Sequence, residues 1–549
     1  MSSVVIALCA GGAAHAGNTR ATPPVNVVAP APSSALYPDD LPGPQAEVVR
    51  DPAKLALPAV PAFELPATTP GLHGPRELRV RGRALYGREL AVRGYVTWIY
   101  DCAAELARSN REATAAEIAD LVDSTPGLCE TPMFSLGDTR QTPRDGSIWV
   151  VDVPRPPERS ARAPAAPRLA VGDYVTVTGR WAIESPGGER NSNGLLVYRT
   201  LDRPTPSATP AALIPAPSGL PEIAVVTDVP LRTIVDTGVR NASVGQLNAC
   251  NRALAAKQYD AALGACRAAT DAWPDNHLAW YAEASAHLAT GKWREAGDAI
   301  AHAVALRPDQ GMYQLYDGMA RYEAARVAAR ADDAAALTSA PLEAARDALL
   351  RASKLAPALW RAHYYLGRVY RDLDDGRRAA EQLTQAIALH PGHRAAYLAL
   401  CELYRRWGYL DQAIAVATLG TANVTGDPGD LWFELALALD GKHADAAALA
   451  AFDKLLGGRP DDAGALLLRG QLHLRKGDTT SAKRDLERVA ADPRSAVAAR
   501  LATQLLARIA SRARARPTSS RGAHGYKKFF LPSEQLYEPW TAEDAKYRF

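Results

Sequence analysis

Arginine, tyrosine and methionine gather in one stretch of this chain: Tyr281, Met312, Met319 and Tyr322, then Arg361, Tyr364, Arg368, Arg371, Arg405 and Arg406. Guanidinium groups bind carboxylates through paired N–H donors, and Met and Tyr supply adaptable apolar contact. That is the chemistry of holding a ligand, not of transforming one. Other candidates are poorer. His390 and His393 have H-x-x-H spacing but straddle Pro391-Gly392, a turn that would not aim both rings at one metal. The six cysteines occur singly, without C-x-x-C, so a structural zinc site is not expected. Phosphate-loop, dinucleotide-binding, nucleophile-elbow and zinc-protease motifs do not occur. The chain is expected to be non-enzymatic, with no cofactor and no metal.

The elements that must position these residues exceed one core, because 549 residues call for two or more domains with linkers. The 63 basic and 60 acidic residues nearly cancel, so no global field recruits nucleic acid or anionic membrane. Beyond residues 1–16 no apolar run approaches the roughly 20 residues of a membrane helix. Those sixteen run from Val4-Val5-Ile6-Ala7-Leu8 to Ala14-His15-Ala16, the A-x-A shape of a signal-peptide cleavage site, although no basic residue precedes the apolar stretch. Export to the periplasm or cell envelope is therefore expected, with the cytoplasm as the alternative. Membrane contact would come only through partners or a lipid anchor at Cys9, where the bulky Leu8 fits lipoprotein cleavage poorly.

Residues 17–76 are rich in Pro and Ala without an apolar period and read as an extended linker. From 77 to 202 the pattern alternates in short runs: Leu90 to Tyr100, Met133 to Leu136, Ile148 to Val153, Tyr174 to Ile183 and Leu195 to Leu201. Five such strands imply a small all-β barrel, with Gly94 and Gly179 where curling strands bend or bulge. The order resembles an OB-fold. A capping box, Thr114 to Glu117, predicts one helix inserted between the first two strands. Cys102 and Cys129 flank it and in an exported protein would pin it by a disulfide. The OB resemblance implies the alternative function, a cytoplasmic adaptor holding single-stranded nucleic acid on Arg93, Tyr95, Tyr174, Thr176 and Arg180, while Trp98, Trp149 and Trp181 read as packing residues. Residues 203–242 form a second Pro-rich linker with one strand-like piece at Ile223 to Val229.

From 243 to 493 an internal period dominates. Pro274 and Pro308, then Pro357 and Pro391, close apolar runs 34 residues apart. Counting back gives Trp280, Ala284, Gly291, Ala296 and Ala303; then Gly367, Tyr370, Ala379 and Ala386; then Trp432, Ala436 and Ala448. This pattern resembles the tetratricopeptide repeat (TPR), which implies an all-α, right-handed solenoid of helix pairs. Seven repeats are expected, beginning near 243, 277, 311, 360, 394, 429 and 463, with a capping helix over 494–514. About fifteen extra residues lengthen the third, and Gly420 to Pro428 replaces the closing proline of the fifth. The resemblance places Cys250 and Cys266 on facing helices as a second disulfide candidate and Cys401 in the core. It also makes the Tyr, Met and Arg residues named above the lining of a concave groove for a peptide or protein partner. Residues 515–549 bring unusual aromatic density, with Phe529, Phe530, Tyr537, Trp540 and Phe549, and this tail is expected to dock, into its own groove or onto another subunit or partner. The expected function is a protein–protein interaction scaffold of the bacterial-type envelope.

Overall fold

A computed structural model of the protein describes residues 52–66, 69–109, 113–124, 129, 131–143, 146–154, 169–186, 191–204, 213–229, 236–331, 339–492 and 495–514. The candidate leader with Cys9 and the tail residues Phe529, Phe530, Tyr537, Trp540 and Phe549 lie outside the described residues. Among the described residues the first elements are strand β1 (Leu65–Pro66), helix α1 (Pro75–Arg81) and a 3-10 turn over Gly82–Leu85. A barrel follows, built of β2 (Glu89–Ile99), β3 (Phe134–Gly137), β4 (Ile148–Val151), β5 (Tyr174–Glu184) and β6 (Asn191–Asp202). It closes in the order β2-β3-β4-β6-β5, with β4 and β6 parallel and every other pair antiparallel.

Period-two patterning puts Leu90, Val92, Val96, Phe134, Leu136, Ile148, Val150, Val175, Val177 and Leu196 into its core. Trp181 fills one end, its indole N–H donating to the Gly82 carbonyl at 3.0 Å. Gly179 sits at a register shift in β5, where a Cβ would overlap the Val197 carbonyl. The fold is thus an OB-like closed barrel. Between β2 and β3 there are two helices, α2 (Cys102–Ser109) and α3 (Ala115–Ser124), rather than the single one expected. Asp101 accounts for the extra helix, since its carboxylate accepts the Ala104 N–H at 3.0 Å. The Thr114–Glu117 capping box starts α3 as read from the sequence. Cys102 and Cys129 are disulfide-bonded, with Cα atoms 5.5 Å apart.

The helical half pairs α4 (Thr237–Ala255) with α5 (Tyr259–Ala272), α6 (His277–Ala289) with α7 (Trp293–Leu306), and α8 (Gly311–Ala331) with α9 (Ser339–Leu355). It continues with α10 (Trp360–Asp372) and α11 (Gly376–Leu389), α12 (Arg394–Arg406) and α13 (Leu410–Asn423), α14 (Gly429–Gly441) and α15 (Asp445–Gly458), and α16 (Ala463–Arg475) and α17 (Thr479–Ala490). Helix α18 (Ala496–Arg514) closes the array. The first hairpin starts at Thr237, ahead of the expected 243, because Asp236 accepts the Gly238 and Val239 N–H groups as an N-cap. In the third hairpin the extra residues lengthen both helices, to 21 and 17 residues.

Close helix crossing explains the period. A Cβ on Gly318 would stand 2.5 Å from Leu349, and one on Gly367 would stand 2.6 Å from Leu383, so these helices meet almost backbone to backbone. Each described turn within a hairpin reverses through one left-handed residue: Lys257, Gly291, Asp374, Gly408, His443 or Gly477. Cys250 and Cys266 join α4 to α5 by a disulfide, and Cys401 is buried.

The two Pro-rich segments differ from the free linkers expected. Where described, they are straps laid on the helices. Ala53 N–H donates to Ala388 O at 2.7 Å, β1 pairs with β7 (Leu213–Ile214), and Ala216 N–H donates to Ala62 O at 3.1 Å. Arg378 donates to Gly219 O at 2.7 Å, and Lys354 to Ile223 O at 2.9 Å. Ile223 to Val229, read as strand-like, forms no strand among the described residues. Proline suits such straps, because it lacks the N–H donor that an unpaired extended chain would otherwise leave unmet. Gly367→Val should overpack the α10/α11 crossing and cost about 1–3 kcal/mol in urea unfolding; an unchanged midpoint would contradict the close approach.

Candidate peptide-binding groove

Consecutive first helices, α4, α6, α8, α10, α12, α14 and α16, meet along the inner side of the array, and their side chains form a ladder there. Arg368 on α10 pairs with Glu323 on α8 at 2.9 Å, and Arg326 shares the same carboxylate at 3.4 Å. The Tyr322 hydroxyl donates to Asp372 at 2.6 Å. Arg371 bridges Asp372 at 2.9 Å and Glu402 on α12 at 3.4 Å, and Arg405 continues to Glu434 on α14 at 3.1 Å. Farther along, Arg475 on α16 binds Asp440 on α14 and, at 2.7 Å, Asp445.

Aromatic rings steady the cations. Arg368 lies 4.8 Å from the Tyr322 ring centre, 5.4 Å from that of Tyr364 and 5.0 Å from that of Tyr365, while Arg361 lies 4.4 Å over Trp360. Burial works to raise the Asp372 carboxyl pKa, but Arg371, Arg326 and the Tyr322 hydroxyl more than offset it and hold it below its usual value. Burial and the Asp372 charge push the Tyr322 hydroxyl up to about 12.

Toward the first hairpin the same face turns apolar. The Tyr281 ring centre lies 5.1 Å from that of Tyr313 and 4.7 Å from that of Tyr316, both pairs tilted, and Tyr313 is hydrogen-bonded to His277 at 2.6 Å. Val244, Leu278 and Met312 succeed one another at 34-residue spacing, one helix above the next. Val244 is 39% and Leu278 49% exposed, large values for apolar side chains.

Three stretches of the chain, residues 247–311, 366–430 and 433–498, match the tetratricopeptide repeat family. The helical half is a TPR solenoid. Among solved structures, a thermophilic TPR protein of Thermus thermophilus is 28% identical, covering 36% of this chain and 99% of that one with a TM-score of 0.30. A tetratricopeptide repeat protein from Parabacteroides merdae is 15% identical, covering 48% and 99% with a TM-score of 0.36. MamA protein is 20% identical, covering 38% and 95% with a TM-score of 0.28. No curated protein sequence matches the chain significantly. The likenesses are partial, and the repeat assignment rests on the three sequence matches and the hairpin geometry.

Within the TPR array the expected groove residues divide. Tyr281 and Met312 are half-buried on the inner face. Met319 and Tyr322 are completely buried, and Tyr364 retains only 3% exposure. Arg361, Arg368, Arg371 and Arg405 retain 7–8%, not the solvent-facing placement expected of a basic strip. The reason is geometric: first helices converge on the concave side, so long side chains from neighbouring repeats reach and pair with one another. Arg406 lies elsewhere. Its guanidinium donates to the Val80 carbonyl of α1 at 2.9 Å and pairs with Asp374, fastening the barrel to the hairpin edge. Beside it Phe63 packs 4.8 Å from Trp407 and 5.1 Å from Tyr409, and Arg76 donates to the Tyr409 hydroxyl at 3.2 Å.

Sequence reasoning missed Glu323, Arg326, Asp372, Glu434 and Asp440. The signal was present as opposite charges about one repeat apart on first helices, such as Arg405 with Glu434. His390 and His393 pack on aromatic rings, each within 4.7 Å of Trp360. On the barrel, Tyr95 and Tyr174 do meet, at 4.7 Å, and Arg93 donates to Thr176 at 2.9 Å, but His73 also lies on this strand through bonds to Ala91 and Arg93. Trp149 and Trp181 are buried, as packing residues are.

Asp372 makes the ladder sensitive to pH. A carboxyl held below its usual value of about 3.9 stabilises the fold above that pH, and the contribution is lost as pH falls through the lowered value. Tyr322→Phe removes a charge-assisted bond and should cost about 1.5–3 kcal/mol at pH 7. The gap from the parent chain should narrow as pH drops below about 4; urea unfolding with a pH-independent gap would contradict this role.

Proposed function

We propose that the protein is an interaction scaffold of the cell envelope whose concave TPR face receives a polypeptide partner. The observation that carries the reading is the change along that face, from exposed Val244 and Leu278 beside the Tyr281 cluster to the arginine and carboxylate ladder of repeats three to six. A bound chain placing apolar residues toward the first repeats would match the exposed end, and polar groups toward the middle would meet the ladder's mixed charges. The clustered tyrosines pre-organise the apolar end, which limits the ordering cost of binding. The barrel is a second docking module, fixed by Arg406, Arg76 and Phe63, so a partner could span both parts without a hinge between them.

The envelope assignment draws support from the bonded pairs Cys102–Cys129 and Cys250–Cys266, since structural disulfides persist in oxidising compartments. Sequencing the mature N-terminus in the native cell tests it: cleavage after Ala16 is expected, and an intact cytoplasmic chain would overturn it.

Val244→Asp with Leu278→Asp should weaken the partner co-purified from the native cell at least tenfold while leaving the melting temperature unchanged, because both side chains are exposed. Leu220→Asp, on the strap, is the control. Equal loss in both variants, or none in either, would overturn the groove reading.

A further inference from the structure

The second strap carries a surface that the groove does not account for. Among the described residues ten large apolar side chains are exposed, and five of them, Leu213, Ile214, Leu220, Val226 and Val229, lie on residues 213–229. Exposed apolar side chains gathered on one segment mark a place of contact. The strap is held by second helices. Arg377 of α11 donates to the Ala216 carbonyl at 3.1 Å, Glu381 accepts the Gly219 N–H at 2.8 Å, and Lys354 of α9 donates to the Ile223 carbonyl at 2.9 Å. This surface therefore belongs to the second-helix side of the array, away from the groove.

From Pro221 to Val226 burial alternates residue by residue. Pro221, Ile223 and Val225 are half-buried, with Ile223 packed on the helical core, while Glu222, Ala224 and Val226 are exposed. Asp228, next in the even-numbered series, is exposed as well. Period two is the pattern of a strand laid on a surface, yet no strand lies beside this one among the described residues. From Glu222 to Val229 the only backbone group with a partner among the described residues is the Ile223 carbonyl, bonded to Lys354. Free N–H and C=O groups along a segment rich in β-branched residues are a template for one more strand.

Charge selects what that strand is. The outward series reads Glu222, Ala224, Val226, Asp228, and neither carboxylate pairs with a cation among the described residues. A second copy laid antiparallel in full register would set Glu222 opposite Asp228, and a parallel copy would set each carboxylate opposite itself. Like charges directly across a strand pair repel, so the segment opposes its own copy. A strand with Lys or Arg six residues apart and apolar residues at the second and fourth positions between them would meet both carboxylates and cover Val226, over about 20 Å. Because the strap is already fastened to α9 and α11, it needs little further ordering to receive such a strand.

We propose that residues 222–229 are a strand-addition site, which takes an extended segment of another polypeptide, basic at each end and apolar between, on the second-helix side of repeats three and four. This goes beyond the groove reading and stands apart from it. Main-chain hydrogen bonds supply affinity, and Glu222 and Asp228 supply selectivity.

The test titrates two fluorescent peptides, Lys-Thr-Val-Thr-Val-Thr-Lys and Glu-Thr-Val-Thr-Val-Thr-Glu, into the full chain. The lysine peptide should bind at least tenfold more tightly. Glu222→Lys with Asp228→Lys should reverse that preference, and Val226→Pro, which removes an N–H that has no partner in the fold, should weaken the lysine peptide at least tenfold at an unchanged melting temperature. Binding of neither peptide, equal binding of both, or a preference that the double reversal leaves in place would overturn the site. Full binding by Val226→Pro would overturn strand addition, leaving only a charge contact. Parent dimers that Val226→Pro dissolves would overturn the choice of occupant in favour of a second copy. Val244→Asp with Leu278→Asp should leave the lysine peptide bound as before; its loss there would move the peptide to the groove and remove the strap site alone.

Discussion

Backbone meeting backbone where the two helices of a hairpin cross is the constraint on which this molecule depends. At Gly318 and Gly367 no Cβ fits beneath the leucine of the second helix, and Ala284, Cys401 and Ala436 serve the corresponding crossings with the next smallest side chains. That approach fixes the hairpin angle, and repetition of one angle makes a solenoid in which each hairpin buries its apolar faces on its neighbours. The ends are the weak points of such an array. Here α18 covers the last hairpin, and the Cys250–Cys266 bond ties the first together.

Convergence of first helices on the inner side has a second consequence. Long charged side chains there come within reach of their counterparts one repeat away, and Arg368, Arg371 and Arg405 are drawn out of solvent into a line of ion pairs. Buried charges are costly unless fully met, so such a ladder specifies the register between repeats more than it adds stability. It also leaves a face of fixed polarity, apolar at one end and lined in the middle by paired guanidinium and carboxylate groups, built by the same contacts that hold the fold.

Legibility in the sequence follows the range of the forces involved. The 34-residue recurrence of Pro, Gly and Ala exposes the hairpins because each crossing is local, and alternation exposes the barrel strands because a pleat has period two. Cys102 with Cys129 was readable from the segment they bracket. Contacts between distant parts were not readable: Arg406 binds Val80, 326 residues away, and Phe63 seats between Trp407 and Tyr409, so an apparent groove arginine is a fastener and an apparent tether is a strap. The arginines were placed on the correct helices, but their burial depends on carboxylates of neighbouring repeats, which a reading of one repeat at a time overlooks. Helix α2 escaped notice because its start relies on a single aspartate, Asp101, without the glutamate that completes a capping box.

Hydrogen–deuterium exchange on the complex purified with its native partner addresses the central claim, that the inner face of the TPR array is where another polypeptide sits. Relative to the protein alone, exchange should slow in the first helices α4, α6, α8, α10 and α12, with little change in the second helices behind them. Slowing confined to the second helices or to the barrel strands would contradict the account.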